Sequence, residues 1–134
     1  MKLTNKSEYA LLALVYLARN GQDGNYISAE TIATAQEIPP RFLEQILLTM
    51  KSAKYLRSAK GQRGGYVLGR PANQISLAEV IRLFDGALAP TESVSKYYYE
   101  PTPIEKESSL MKVFLDIRNY VANKLERTTL ADLV

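Results

Sequence analysis

Residues 28–69 read SAETIATAQEIPPRFLEQILLTMKSAKYLRSAKGQRGGYVLG, and three signals follow one another within them. Ser28 is a good N-cap for a helix over Ala29 to Gln36, with Glu30 in its first turn, where a negative charge meets the helix dipole. Glu37-Ile38-Pro39 breaks that helix, because proline disfavours helical backbone in the residue before it, and Pro40 suits the first position of a new one. The second helix runs from about Pro40 to Ser52. Leu43, Ile46, Leu47 and Met50 recur at i, i+3, i+4 and i+7 and form one buried stripe. Arg41, Gln45, Leu48 and Ser52 then point the other way, with Phe42 and Thr49 on one flank and Glu44 and Lys51 on the other. The period next changes from helical to alternating. Tyr55–Ala59 and Tyr66–Gly69 are short strand candidates, joined by the glycine-rich basic connection Lys60-Gly61-Gln62-Arg63-Gly64-Gly65.

On the N-terminal side, Thr4 or Asn5 can cap a helix over about Asn5 to Arg19, and Gly21 is a suitable stop. Apolar residues surround this helix on more than one face, so it is expected to be buried, with its tyrosines in the core. A loop over Asn20–Asn25 and a short extended segment at Tyr26-Ile27 complete the approach. On the C-terminal side, Ser76 and Glu79 form a capping box, the stripe Leu77, Val80, Ile81 and Phe84 follows, and Gly86 ends the helix. Ala87 to Thr102 is irregular and carries Tyr97-Tyr98-Tyr99. Thr102, Pro103 and Glu105 give a second helix-start signal, and the helix is expected to reach about Glu126, spanning roughly 36 Å. Leu110, Phe114, Ile117, Val121 and Leu125 line one side of it, widened by Met111, Val113 and Leu115. Too little chain remains to cover so broad a stripe, and a second copy of the protein is the expected cover. Thr129-Leu130-Ala131-Asp132 repeats the capping pattern of Ser76–Glu79.

Three helices followed by a two-stranded basic hairpin is the winged helix-turn-helix arrangement. The expected fold is therefore mainly α with a small β-hairpin, in three parts: a winged domain over residues 1–86, a linker or sensor segment over 87–102, and a dimerisation helix with a short C-terminal helix over 103–134.

Composition narrows the chemistry. The 134 residues include 17 Lys+Arg, 14 Asp+Glu, and no cysteine, histidine or tryptophan. Disulfides, thiol switches and thiolate ligation of zinc or an iron–sulfur cluster are excluded, as is the usual general base. No nucleophile–base pair is evident, so an enzyme is not expected. The longest apolar run, Tyr9–Ala18, has ten residues, against roughly 20 for a spanning helix; with no secretory pattern at the start, a cytoplasmic protein is expected. The net charge of +3 is unevenly placed. Residues 41–70 hold Arg41, Lys51, Lys54, Arg57, Lys60, Arg63 and Arg70 against Glu44 alone, which points to a polyanionic partner. The bland reading is a solubilising surface.

On a duplex, the 40–52 helix would lie in the major groove. There Arg41 can donate to guanine or phosphate, Gln45 can bond adenine twice, Glu44 can accept from cytosine, and Leu48 can meet thymine methyls. Lys60 and Arg63 at the hairpin tip suit a narrow minor groove, and Lys51, Lys54 and Arg57 suit the phosphate backbone. The candidate DNA-binding set is Ser28, Arg41, Phe42, Glu44, Gln45, Leu48, Lys51, Lys54, Lys60, Gln62 and Arg63. A nucleotide-phosphate cradle at the glycine-rich turn lacks the Walker lysine and does not open into a helix. A winged helix used only for protein–protein contact is the main alternative; the basic block argues against it, because lysine is depleted at such interfaces.

Residues 1–89 resemble the Rrf-two family of bacterial transcription regulators. The resemblance rests on Met1-Lys2-Leu3-Thr4 with Tyr9-Ala10, Phe42-Leu43-Glu44-Gln45-Ile46, Gly61–Gly65 followed by Tyr66-Val67-Leu68-Gly69, and Ile75–Ile81, with Thr129–Val134 matching the family's close. It implies a homodimer joined by the long C-terminal helices on a near-palindromic operator, one winged domain per half-site. It also places Arg41, Phe42, Glu44 and Gln45 on the reading helix and Lys60 and Arg63 on the wing. Several relatives hold an iron–sulfur cluster through cysteines between the two parts. Here that stretch, about Pro90–Ser109, has neither cysteine nor histidine, so no cofactor is expected. A small molecule, a protein partner or no effector at all remain for the sensing role, and the tyrosine run fits either a ligand platform or packing at the dimer interface.

Overall fold

A computed structural model describes all of residues 1–134. Its helices are α1 (Asn5–Asn20), α2 (Ala29–Gln36), α3 (Pro40–Ser52), α4 (Leu77–Asp85) and α5 (Ser108–Arg127), and its strands are β1 (Leu56–Ala59) and β2 (Gly65–Leu68). Short 3-10 turns occupy 72–74, 92–94, 103–106 and 130–133.

The first helix starts where the Thr4 side chain accepts from the Ser7 N–H and stops where the Gly21 N–H reaches the Leu17 carbonyl. Its inner face is small, and Ala10 and Ala13 are fully buried. Leu14 and Leu17 meet Ile32 of α2 and Leu43, Ile46, Leu47 and Met50 of α3 in a single apolar cluster. The α3 stripe is buried as its spacing requires. Between α2 and α3, Glu37 takes the left-handed conformation (φ 55°), which turns the chain sharply and lets the buried Ile38 donate its N–H to Ala33. Pro40 opens α3 without sacrificing a helical donor.

The wing is antiparallel, with Leu56 opposite Leu68 and Ala59 opposite Gly65. Ile27 exchanges two backbone hydrogen bonds with Tyr66, so the extended segment before α2 docks onto β2 as a one-residue third strand. Gly65 makes this possible: its φ is +138°, and a Cβ there would lie 2.2 Å from the Ile27 carbonyl oxygen.

α4 begins with the complete capping box of Ser76 and Glu79. The second start signal behaves differently. Pro103–Lys106 forms a 3-10 turn, and Thr102 makes no side-chain cap. The Thr102 hydroxyl instead donates to Ser93 at 2.6 Å, and Glu105 accepts from the Tyr99 hydroxyl. With both capping groups drawn into tertiary bonds, the long helix starts at Ser108, five residues later than its sequence signal. Its 20 residues span about 30 Å rather than 36 Å.

The capping box at Thr129 and Asp132 does form, at the head of a 3-10 turn. Thr129 pairs with Ser76, so the two capping boxes lie side by side, joined by Leu77 N–H to Thr128 O and Leu130 N–H to Ile75 O. Leu130 is fully buried in the cluster built by α1 and α3. The segment after α5 is thus part of the winged domain's own core.

Candidate nucleic-acid interface

α3 is held from behind by its buried stripe and from the side by Phe42. The Phe42 ring is half-buried and meets Tyr9 edge-on, with centroids 5.4 Å apart. Phe42, a member of the candidate DNA-binding set on the flank of the helix, thus also braces α3 against α1. Arg41, Glu44, Gln45 and Lys51 are exposed, and Leu48 keeps 56% of its surface in water. The Thr49 hydroxyl donates to the Gln45 backbone carbonyl, and the Gln45 side chain stands exposed beside it. At the start of α2 the Ser28 hydroxyl accepts from the Thr31 N–H at 3.1 Å and sits 2.8 Å from the Thr31 hydroxyl, so its first task is capping, at an exposed site.

The cations of the 41–70 block divide into two kinds. Arg41, Lys51, Lys54, Arg57, Lys60 and Arg63 are solvent-exposed and make no ion pair. Arg70 is a correction to the block: its guanidinium lies 3.3 Å from Glu79 and 4.2 Å over the Tyr55 ring. That cluster fastens the root of the wing to α4. Burial pushes the Glu79 carboxyl up, but donation from the Ser76 N–H and hydroxyl, with the Arg70 charge, outweighs it and holds the group below its ordinary value. Burial, and secondarily the Glu79 charge, raises the Tyr55 phenol.

The wing tip, Lys60–Gly64, has its shape set by the backbone. Gly61 sits at φ +102°, the Gly64 N–H returns to the Gly61 carbonyl, and a Cβ at Gly64 would lie 2.3 Å from the Ala59 carbonyl oxygen. Gln62 and Arg63 stand exposed at this turn. Lys54 occupies the left-handed turn after α3 (φ 71°), between reading helix and wing. The exposed cations therefore run from the face of α3 through its C-terminal turn to the hairpin tip.

One neighbour of α3 lay outside the sequence reading. Lys6 of α1 lines a cleft of about 230 Å³ with Phe42, Gln45 and Thr49 along the flank of α3. Nothing near Lys6 in the chain signals this, because the proximity arises from the packing of α1 on α3.

The irregular segment after α4 buries Leu88, Ala89 and Val94 and exposes Tyr97, Tyr98 and Tyr99 at the edge of an open cleft of about 960 Å³. Arg82 and Lys96 both lie against the Tyr97 ring, at 4.8 and 5.1 Å. On α5 only Ala122 is fully buried. Leu110 and Ile117 are exposed, Phe114 and Val121 are partly buried, and Leu125 packs against Ala78, Ile81 and Leu88 of its own chain. No helix is long and apolar enough to cross a membrane.

Comparison with known proteins gives this geometry a family. The profile of the Rrf2 family, described as iron-dependent transcriptional regulators, matches residues 3–134. A Mycobacterium tuberculosis protein named as an HTH-type transcriptional regulator is 38% identical over 99% of this chain and 81% of its own. The HTH-type transcriptional regulator CymR of Bacillus subtilis is 29% identical, over 99% of this chain and 87% of its own. The solved structure of B. subtilis CymR superposes with a TM-score of 0.80 over 99% of this chain and 95% of that one. The structure of T. potens IscR, 23% identical with a TM-score of 0.76 over 99% of this chain and 85% of that one, shares the fold. The family's description names iron; this chain has no cysteine or histidine, and no three carboxylates come together within it. The relatives are named as transcriptional regulators, not enzymes or protein-docking modules. With a profile match across nearly its whole length and the winged fold in place, the chain belongs to the Rrf2 family of bacterial DNA-binding transcriptional regulators.

Proposed function

We propose that the protein acts as a homodimer on a near-palindromic operator, each α3 in a major groove and each wing tip in the adjacent minor groove. The observation that carries this reading is the unpaired cationic surface from Arg41 through Lys51, Lys54 and Arg57 to Lys60 and Arg63, interrupted only by Glu44. In this reading Arg41, Glu44, Gln45 and Leu48 meet base edges. Lys51 and Lys54 meet phosphates, as does Ser28 at the α2 N-terminus, and Lys60, Gln62 and Arg63 enter the minor groove. Support for the dimer comes from the exposed apolar face of α5 at Leu110, Val113 and Ile117, flanked by Phe114 and Val121. Such a face is stable in water when a second copy covers it. Leu125 supports the same helix from inside its own protomer. With no donor set for iron, we infer that regulation does not run through a protein-ligated cluster, and that the protein works in the cytoplasm.

Selection of bound fragments from genomic DNA, followed by affinity measurement against salt, tests the reading. An inverted-repeat consensus is expected, with binding that weakens steeply as salt rises because several phosphate contacts release counterions. Gln45→Ala should change base preference and leave the salt slope nearly intact. A consensus without two-fold symmetry, or a Gln45→Ala variant altered only in its salt slope, would overturn the docking.

A further inference from the structure

A helix lying in a major groove has a phosphate backbone along each of its two flanks. On one flank of α3 stands Lys51, with Lys54 in the turn just beyond it. The opposite flank is short of donors within α3 itself. Phe42 is apolar, Ile46 is buried, and the Thr49 hydroxyl proton is spent on the Gln45 carbonyl. Charge reaches that side from another helix. Lys6, in the first turn of α1, lines the cleft of about 230 Å³ that it shares with Phe42, Gln45, Thr49 and Phe84.

We propose that Lys6 is a DNA-backbone contact, gripping a phosphate of the strand that passes the Phe42–Thr49 flank. The inference rests on the docking proposed above and adds to it a cation from outside the 41–70 block. Lys6 is exposed and makes no ion pair. The acids of its surroundings are turned elsewhere. Asp85, at the end of α4, accepts from the Thr4 N–H at 3.2 Å and from the Ser7 hydroxyl at 2.6 Å. Glu8 is two residues further along α1, a spacing that puts it on a different side of the helix. Helix stability does not account for the residue either, because a cation in the first turn opposes the α1 dipole. The bonds from Asp85 pin that first turn against α4, so the backbone of Lys6 is held beside α3 while its side chain stays free to extend. A compact ammonium on a flexible stem suits a phosphate oxygen and carries no information about the base.

The test is anisotropy titration of the full chain, at several salt concentrations, against a labelled duplex carrying the selected consensus and a shuffled duplex of the same composition. Lys6→Gln should weaken binding to both by the same factor and lower the salt slope by about 1. Its deficit should therefore shrink roughly three- to fourfold between about 50 and 200 mM salt. Lys6→Arg should restore affinity and slope, and the melting temperature of Lys6→Gln should match that of the parent. Lys124→Gln removes an equal charge from an exposed position on α5 and should leave the slope as it was. A parental slope in Lys6→Gln, a changed base preference at constant slope, no recovery in Lys6→Arg, or an equal loss in Lys124→Gln would each overturn the proposal. Lys60→Ala separates this failure from that of the docking. A slope lowered by Lys60→Ala and not by Lys6→Gln removes Lys6 alone, whereas a slope lowered by neither removes both.

Discussion

Glu79 belongs to three structures at once. It closes the Ser76 capping box, pairs with Arg70 at 3.3 Å, and stands 3.5 Å from the Tyr55 hydroxyl. Its carboxyl is held below the ordinary value in the folded state, so the stabilisation is complete above the unfolded carboxyl's pKa of about 4.3 and is lost as pH falls through the lower folded value. Thermal melts should show stability declining on acidification below that point, and Glu79→Gln should flatten the decline. At neutral pH, Glu79→Ala should cost about 1 kcal/mol through the capping box alone, measured by urea unfolding. The capping box was legible, since Ser76 and Glu79 are three residues apart. The Arg70 pairing was not, because it depends on the turn at 72–74 bringing the chain back to α4. The Tyr9 contact of Phe42 and the position of Lys6 beside α3 escaped for the same reason. Their places are set by how α1 packs on α3, a contact about thirty residues apart in the chain that no local pattern records.

The elements follow the same division. α2 and α3 were readable to the residue, because Ser28, Pro40 and a four-residue stripe define start, break and face within a short window. The long helix was misplaced at its start, because a capping signal is local while the Thr102 hydroxyl had a closer partner in Ser93. The wing combines both kinds of information, with strands visible from alternation and a tip shape that depends on Gly65 beneath Ile27. Gly65→Ala should destabilise the fold by about 2–3 kcal/mol, through a disfavoured φ and a collision with the Ile27 carbonyl; denaturant midpoints would show it. Lys60→Ala and Arg63→Ala should instead leave the melting temperature nearly unchanged. Each is expected to weaken binding to DNA of any sequence and to lower the salt slope by about 1. Anisotropy titrations at several salt concentrations separate these outcomes.

At the scale of the molecule, α5 carries two faces with different work. Ala122 is buried and Leu125 fastens the helix to α4 within the chain, while Leu110, Val113 and Ile117 stand exposed. Ile117→Asp should abolish self-association in sedimentation experiments, and remove any dependence of melting temperature on protein concentration. Leu130→Ala should cost about 2–5 kcal/mol, as expected for a fully buried leucine, and its effect on DNA affinity should follow the loss of fold. Leu130 closes a cluster whose other members end at Val80, fifty residues earlier in the chain. During translation, α3 and the wing leave the ribosome well before this plug does. An emerging chain therefore holds α3 and the wing on an unfinished base, and the core beneath them closes only once residue 130 has cleared the exit tunnel.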